Sequence, residues 1–141
     1  MTSNSVNLDR DTHFSNTMNL VVDVGNTHTK LAWFDQGEIT ESLRFDRQGQ
    51  VDYHDIFNRY AAEMAIISSV GSHAPDLLEH LYKDFRKVIF LDHNTPLPFH
   101  IGYKTPETLG RDRIAGCAGA RYLFPNGHVL VIDMGTAITI D

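Results

Sequence analysis

Two stretches roughly a hundred residues apart carry the same design, and that repetition limits the folds open to this chain more than any other feature. The first is Leu20-Val21-Val22-Asp23-Val24-Gly25-Asn26-Thr27, after which the apolar run resumes at Leu31-Ala32-Trp33-Phe34. The second is Val129-Leu130-Val131-Ile132-Asp133-Met134-Gly135-Thr136, resuming at Ala137-Ile138-Thr139-Ile140. Leu20, Val21 and Val22 are apolar without alternation, which predicts a strand buried on both faces. An uncompensated carboxylate at the end of such a run is costly, so Asp23 calls for a cation. Gly25 permits a positive φ and a close backbone approach, while Asn26 and Thr27 offer donors to anionic oxygens. Alone, the first stretch reads equally as a plain β-hairpin with a Gly-Asn turn capped by Asp23. The second copy favours two phosphate loops facing each other, as in folds built from duplicated lobes that clamp a nucleotide.

Between the two hairpins the pattern alternates. The segment 39–45 reads as a third antiparallel strand, giving a meander. Residues 52–63 place Ile56, Tyr60 and Met64 at helical spacing, and Ala65 to Gly71 reads as a buried strand. A helix follows with Pro75 in its first turn and Leu77, Leu78, Leu81 and Phe85 on one face. Val88-Ile89-Phe90-Leu91 is the next strand. The order predicts an α/β fold, a mixed sheet flanked by helices like a ribonuclease H-like (actin-like ATPase) lobe. The opening β-hairpin of a second lobe follows. The boundaries expected are a flexible extension over 1–17, a first lobe over 18–124, and the start of a second, truncated lobe over 125–141.

Gly110-Arg111-Asp112-Arg113 sets an acid between two arginines where a small-residue helix begins. It reads equally as a solvated charge cluster with Asp112 placed favourably at a helix N-terminus. Arg111 is expected to face solvent, and Lys30 and Lys104 to be exposed lysines. His28 is expected to serve only as a turn residue. The histidines form no His-Glu-x-x-His or close His/Cys pair, and neither common glycine-rich nucleotide motif is present.

Composition narrows the partners. A net charge of −6 argues against a nucleic-acid or anionic-membrane surface. The single Cys117 excludes an internal disulfide, and the absence of a long apolar run or a basic-then-apolar N-terminus makes the cytoplasm the expected location.

Three separated motifs together resemble the type III pantothenate kinases of the acetate kinase, sugar kinase, Hsp70 and actin superfamily. Asp23-Val24-Gly25-Asn26-Thr27 resembles that family's first phosphate loop and Gly110-Arg111-Asp112-Arg113 its Gly-x-Asp-Arg motif. Asp133-Met134-Gly135-Thr136-Ala137-Ile138-Thr139 resembles its second phosphate loop. The resemblance implies ATP-dependent phosphorylation of pantothenate, the first step of coenzyme A biosynthesis. Asp112 would be the catalytic base, and Tyr103, Gly110, Asp112 and Arg113 would bind pantothenate. Asp23, Gly25, Asn26, Thr27, Gly135 and Thr136 would cradle the ATP phosphates. Asp23 and Asp133 would be metal ligands, for Mg²⁺ and for a monovalent cation (K⁺ or NH₄⁺). A homodimer is implied as well. Two alternatives stay open: a non-catalytic nucleotide- or pantothenate-binding regulatory protein of the same fold, and a superfamily kinase for another small hydroxylated substrate.

Overall fold

A computed structural model describes residues 18–46, 49–69, 75–135 and 137–141. The expectations that fall on 1–17, on 70–74 and on Thr136 lie outside the described residues. A five-stranded mixed sheet in the order β3-β2-β1-β4-β5 organises the chain. Strands β1 (Met18–Val24), β2 (His28–Asp35) and β3 (Glu38–Asp46) form the expected antiparallel meander. Strands β4 (Ala62–Ser69) and β5 (Lys87–Phe90) then add in parallel beside β1. The central strand is therefore β1, paired antiparallel on one side and parallel on the other, as the α/β ribonuclease H-like reading expected.

The expectation that β1 is buried on both faces needs correction. Leu20, Val22 and Val24 are buried, but Val21 and Asp23, which point the other way, are only half-buried. The buried side meets Leu31 and Trp33 of β2, Ala65 and Ile67 of β4, and two helices, α1 (Tyr53–Phe57) and α2 (Pro75–Asp84). Leu77 and Leu81 supply the core-facing stripe of α2, as their spacing predicted, and Phe85 closes it against Phe57 with ring centroids 5.2 Å apart. Each such large apolar side chain contributes about 1.5–3 kcal/mol by leaving water. The other side of the sheet carries Asp23 and Lys30, directly opposite each other in register.

The helix expected over 52–63 is only five residues long, and Met64 belongs to β4. Asp52 caps its start by accepting from the Asp55 N–H at 3.0 Å. Asn58 ends it: its side-chain amide donates back to the His54 carbonyl at 2.9 Å. Pairing of β4 with β1 from Met18↔Ala62 onward then recruits residues whose helical spacing suggested a longer helix, so tertiary hydrogen bonding overrides local periodicity.

A short 3₁₀ turn at Pro106–Thr108 leads into helix α3 (Arg111–Leu123). Only Ile114 of this helix is buried, and it lies outside the main core cluster, so α3 forms a separate layer against β4. Strands β6 (Ile132–Met134) and β7 (Ile138–Ile140) make the second hairpin, each shorter than the apolar run predicted. Leu130, Ile132, Met134, Ile138 and Ile140 are exposed on it. Among the described residues no helix is long and apolar enough to cross a membrane.

Candidate functional site

The loop after β1 is closed by a hydrogen bond from the Gly25 N–H to the His28 carbonyl at 2.9 Å. Positive φ was the expected reason for glycine here, but among the described residues only Gln36 and Gly37 adopt it. The requirement is close approach instead, because a Cβ on Gly25 would lie 3.2 Å from the same His28 oxygen. The loop after β6 closes similarly, with the Gly135 N–H donating to the Ala137 carbonyl at 3.1 Å. The two sequence copies therefore build two comparable glycine turns at the ends of two strands.

These turns line one cavity of about 360 Å³. Asp23 at the end of β1 and Gly25, Asn26 and Thr27 of the first turn enter it, with Asp133 of β6 and Gly135 of the second turn, and Asp112 from the first turn of α3. The Asp112 carboxylate is exposed and held by the Arg113 backbone N–H, 2.9 Å from Oδ1. Helix α3 is tied to the sheet where Arg111 Nη1 donates to the Ser69 carbonyl at 3.3 Å. Arg111, expected to face solvent, is thus partly buried and anchors the helix beside the cavity.

Two further side chains line this cavity, Lys30, which is exposed as expected, and His28. Lys30 Nζ lies 3.3 Å from Asp23 Oδ2, supplying the cation that the acid called for. His28 is the first residue of β2 rather than a mere turn residue, and its Nε2 stands 3.2 Å from Asp46 Oδ1. The signal for both was present in the hairpin register, which pairs Asp23 with Lys30 and His28 with Asp46.

Tyr103 and Arg113 do not line the cavity but meet each other next to it, with the guanidinium carbon 5.4 Å from the ring centroid. Arg113 is also paired with Asp141: Nε lies 2.9 Å from both carboxylate oxygens, and Nη2 bonds Oδ1 as well. The hydrogen bonds to Asp141 hold the guanidinium pKa above its ordinary value, against the opposing effect of burial. Sequence reasoning missed Asp141, although an acid closing an apolar strand was the very signal that singled out Asp23.

Asp23 and Asp133 both line the cavity and could each offer a carboxylate oxygen to an ion. Among the described residues no three His, Cys, Asp or Glu side chains gather closely enough to hold a metal by themselves. Separate carboxylates around an open cavity suit Mg²⁺, which keeps water and substrate phosphates among its ligands instead of filling a protein cage.

The family model described as type III pantothenate kinase matches residues 19–141. Proteins called type III pantothenate kinase from Phocaeicola vulgatus and Bacteroides fragilis are each 40% identical over 124 residues, covering 88% of this chain and 51% of theirs. One of the same name from Christiangramia forsetii is 40% identical over 129 residues, with the same coverage. The chain spans about half the length of the curated relatives it matches. A solved Bacteroides thetaiotaomicron protein with an actin-like ATPase fold and unknown function aligns at TM-score 0.36 and 12% identity, covering 55% of this chain and 33% of that one, too little to bear on fold or function. The family match, in contrast, runs unbroken through both glycine turns and the start of α3, and the chain belongs to the type III pantothenate kinase family.

Proposed function

We propose that this chain supplies the phosphate loops and the general base of an ATP-dependent pantothenate kinase. The reaction transfers the γ-phosphoryl group of ATP to the primary hydroxyl of pantothenate, giving 4'-phosphopantothenate and opening coenzyme A biosynthesis. One observation carries the reading: two glycine turns and a helix start, far apart in sequence, deliver three carboxylates and a set of loop donors to one cavity. Phosphoryl transfer needs that combination, since its barrier falls mainly through positioning and charge neutralisation.

In this reading Asp112 accepts the proton of the attacking hydroxyl, and the Arg113 N–H keeps its carboxylate aimed. Gly25, Asn26, Thr27, Gly135 and Thr136 donate to phosphate oxygens. Asp23 and Asp133 hold Mg²⁺, and Asp133 also serves a monovalent cation, K⁺ or NH₄⁺; when bound, the metal neutralises charge on the phosphates. Tyr103, Gly110 and Arg113 form the pantothenate side. The net charge of −6 suits a ligand gripped by local donors rather than by a broad basic surface.

We further infer that 18–124 is the first lobe and 125–141 opens a second one. The exposure of Leu130 (66%) and Met134 (79%) supports a hairpin that more protein covers. The functional unit is a cytoplasmic homodimer.

A coupled ADP-release assay with ATP, Mg²⁺ and K⁺ tests the reading, with pantothenate added to the full-length protein and to this 141-residue chain side by side. Turnover by the full-length protein that depends on pantothenate is the expected result. Binding of nucleotide or pantothenate without turnover would replace it with a regulatory role.

A further inference from the structure

Arg113 is held on two sides. Its Nε donates to both Asp141 oxygens at 2.9 Å, its Nη2 adds a bond to Oδ1 and a longer one, 3.4 Å, to the Ile140 carbonyl, and its guanidinium rests over the Tyr103 ring. Both charged side chains are largely withdrawn from water, 23% and 14% exposed, so the pair is neither heavily screened nor free to exchange partners with solvent.

The carboxylate that grips Arg113 is itself fixed. The Asp141 N–H donates to the Val131 carbonyl at 3.0 Å, and its own carbonyl accepts from the Val131 N–H at 2.9 Å. Asp141 is therefore the rung that closes the second hairpin beyond β7, on the element that brings Asp133 and Gly135 to the cavity. A guanidinium has five donors in a rigid fork. Asp141 takes the edge formed by Nε and Nη2, so the donors of Nη1 are those it does not use. The neutralised pair no longer attracts anions at long range, but it presents hydrogen bonds in a set direction.

We propose that Asp141 is a positioning residue for the substrate: its two-point grip locks Arg113 against Tyr103, so that the guanidinium edge turned away from Asp141 is pre-oriented for the oxygen acceptors of pantothenate beside Asp112. This rests on the pantothenate kinase reading above. It links the substrate side of the site to the second phosphate turn through one side chain, because Arg113 also supplies the N–H that holds Asp112.

The test uses full-length protein carrying Asp141→Asn, Asp141→Glu, Arg113→Lys, and the Arg113→Lys/Asp141→Asn double change. Steady-state kinetics are run for each substrate, together with calorimetry of pantothenate without nucleotide. For Asp141→Asn, KM and Kd for pantothenate rise about tenfold or more while KM for ATP stays within about twofold. Asp141→Glu, which keeps the charge, recovers part of the loss. The double variant is no worse than Arg113→Lys alone, because both changes break one unit.

An unaltered pantothenate KM in Asp141→Asn overturns the proposal. So does a parallel rise in both KM values with a lowered melting temperature, or failure of both Asp141 variants to fold, since each marks a merely structural role. If the unmodified protein neither binds nor phosphorylates pantothenate, the functional reading has failed and the inference falls with it. If the unmodified protein binds normally and Asp141→Asn matches it, only the inference has failed.

Discussion

Gly110 stands so close to Asp112 that a Cβ built on its α-carbon would overlap Oδ1 of the neighbouring carboxylate. The backbone at Gly110, with φ −55 and ψ 133, is open to any residue, so glycine is needed there for space and not for conformation. Alanine at this position leaves the helix start intact and forces the Asp112 side chain to rotate. Gly110→Ala in the full-length protein is therefore expected to melt within a few degrees of the parent. Its kcat should fall by about 10- to 100-fold, the cost of a displacement of roughly 1 Å at a reacting group. Full turnover in this variant would show that the carboxylate does not act from the position seen here.

Asp112→Asn separates shape from basicity. The asparagine carbonyl oxygen can still accept the Arg113 N–H, so the first turn of α3 keeps its hydrogen bond. On the proposed role, what is lost is the proton acceptor, worth about 10²–10⁴ in rate for general base catalysis. Phosphorylation should drop by that factor while ATP affinity, read by calorimetry, changes little. Retained turnover would move the base elsewhere.

Lys30 and Asp23 predict opposite responses to magnesium. Their ion pair is exposed enough to add little stability, 60% and 37% on the two side chains, so neither Lys30→Met nor Asp23→Asn should unfold the protein. Both side chains face the same cavity, however, and the metal proposed at Asp23 would compete with the ammonium group for the same carboxylate. Asp23→Asn should raise the Mg²⁺ concentration needed for half-maximal rate, whereas Lys30→Met should lower it at saturating ATP. Identical magnesium titrations for both variants and the parent would place the ion away from Asp23.

The parts of this architecture legible in the sequence were those where local pattern and tertiary demand agree. The β1–β2–β3 meander, the Leu77/Leu81 stripe and the two Asp-x-Gly turns each follow from residues adjacent in the chain. Where pairing over long distances decides, pattern misled. Met64 sits at helical spacing from Tyr60 yet joins β4, because β1 offers it a backbone partner through Asn19. Leu20, Val21 and Val22 looked like one run buried on both faces, but Val21 is only half-buried. The candidate site divides in the same way. Asp23, Asp112 and Asp133 announce themselves as acids at strand ends and at a helix start. Lys30 was within reach of the hairpin register, 7 positions from Asp23, whereas Asp141 and Arg111 gain their roles from partners 28 and 42 positions away, which no window of local sequence contains.

Helix α3 bears Asp112 and Arg113 yet is held to the sheet by few contacts, chiefly the buried Ile114 and the Arg111 bond to Ser69. These two anchors should be separable. Ile114→Ala removes a side chain that is 1% exposed and leaves a cavity, which for Leu/Ile truncations costs about 2–5 kcal/mol. Chemical denaturation should show that loss as a lower midpoint at unchanged slope. Arg111→Met keeps an unbranched apolar stem and gives up a hydrogen bond to one carbonyl, a net cost of about 1.5–3 kcal/mol for a charged donor, and less where water reaches the same oxygen. Its larger effect should be kinetic, since the Ser69 carbonyl fixes how the helix start sits over the end of β4, where Ser69 pairs with Val24 and Ser68 with Asp23. The expected signature is a kcat loss in Arg111→Met out of proportion to its stability loss, and the reverse in Ile114→Ala. Equal ratios in the two variants would mean that α3 moves as a loosely held unit, and that neither anchor sets the position of the base.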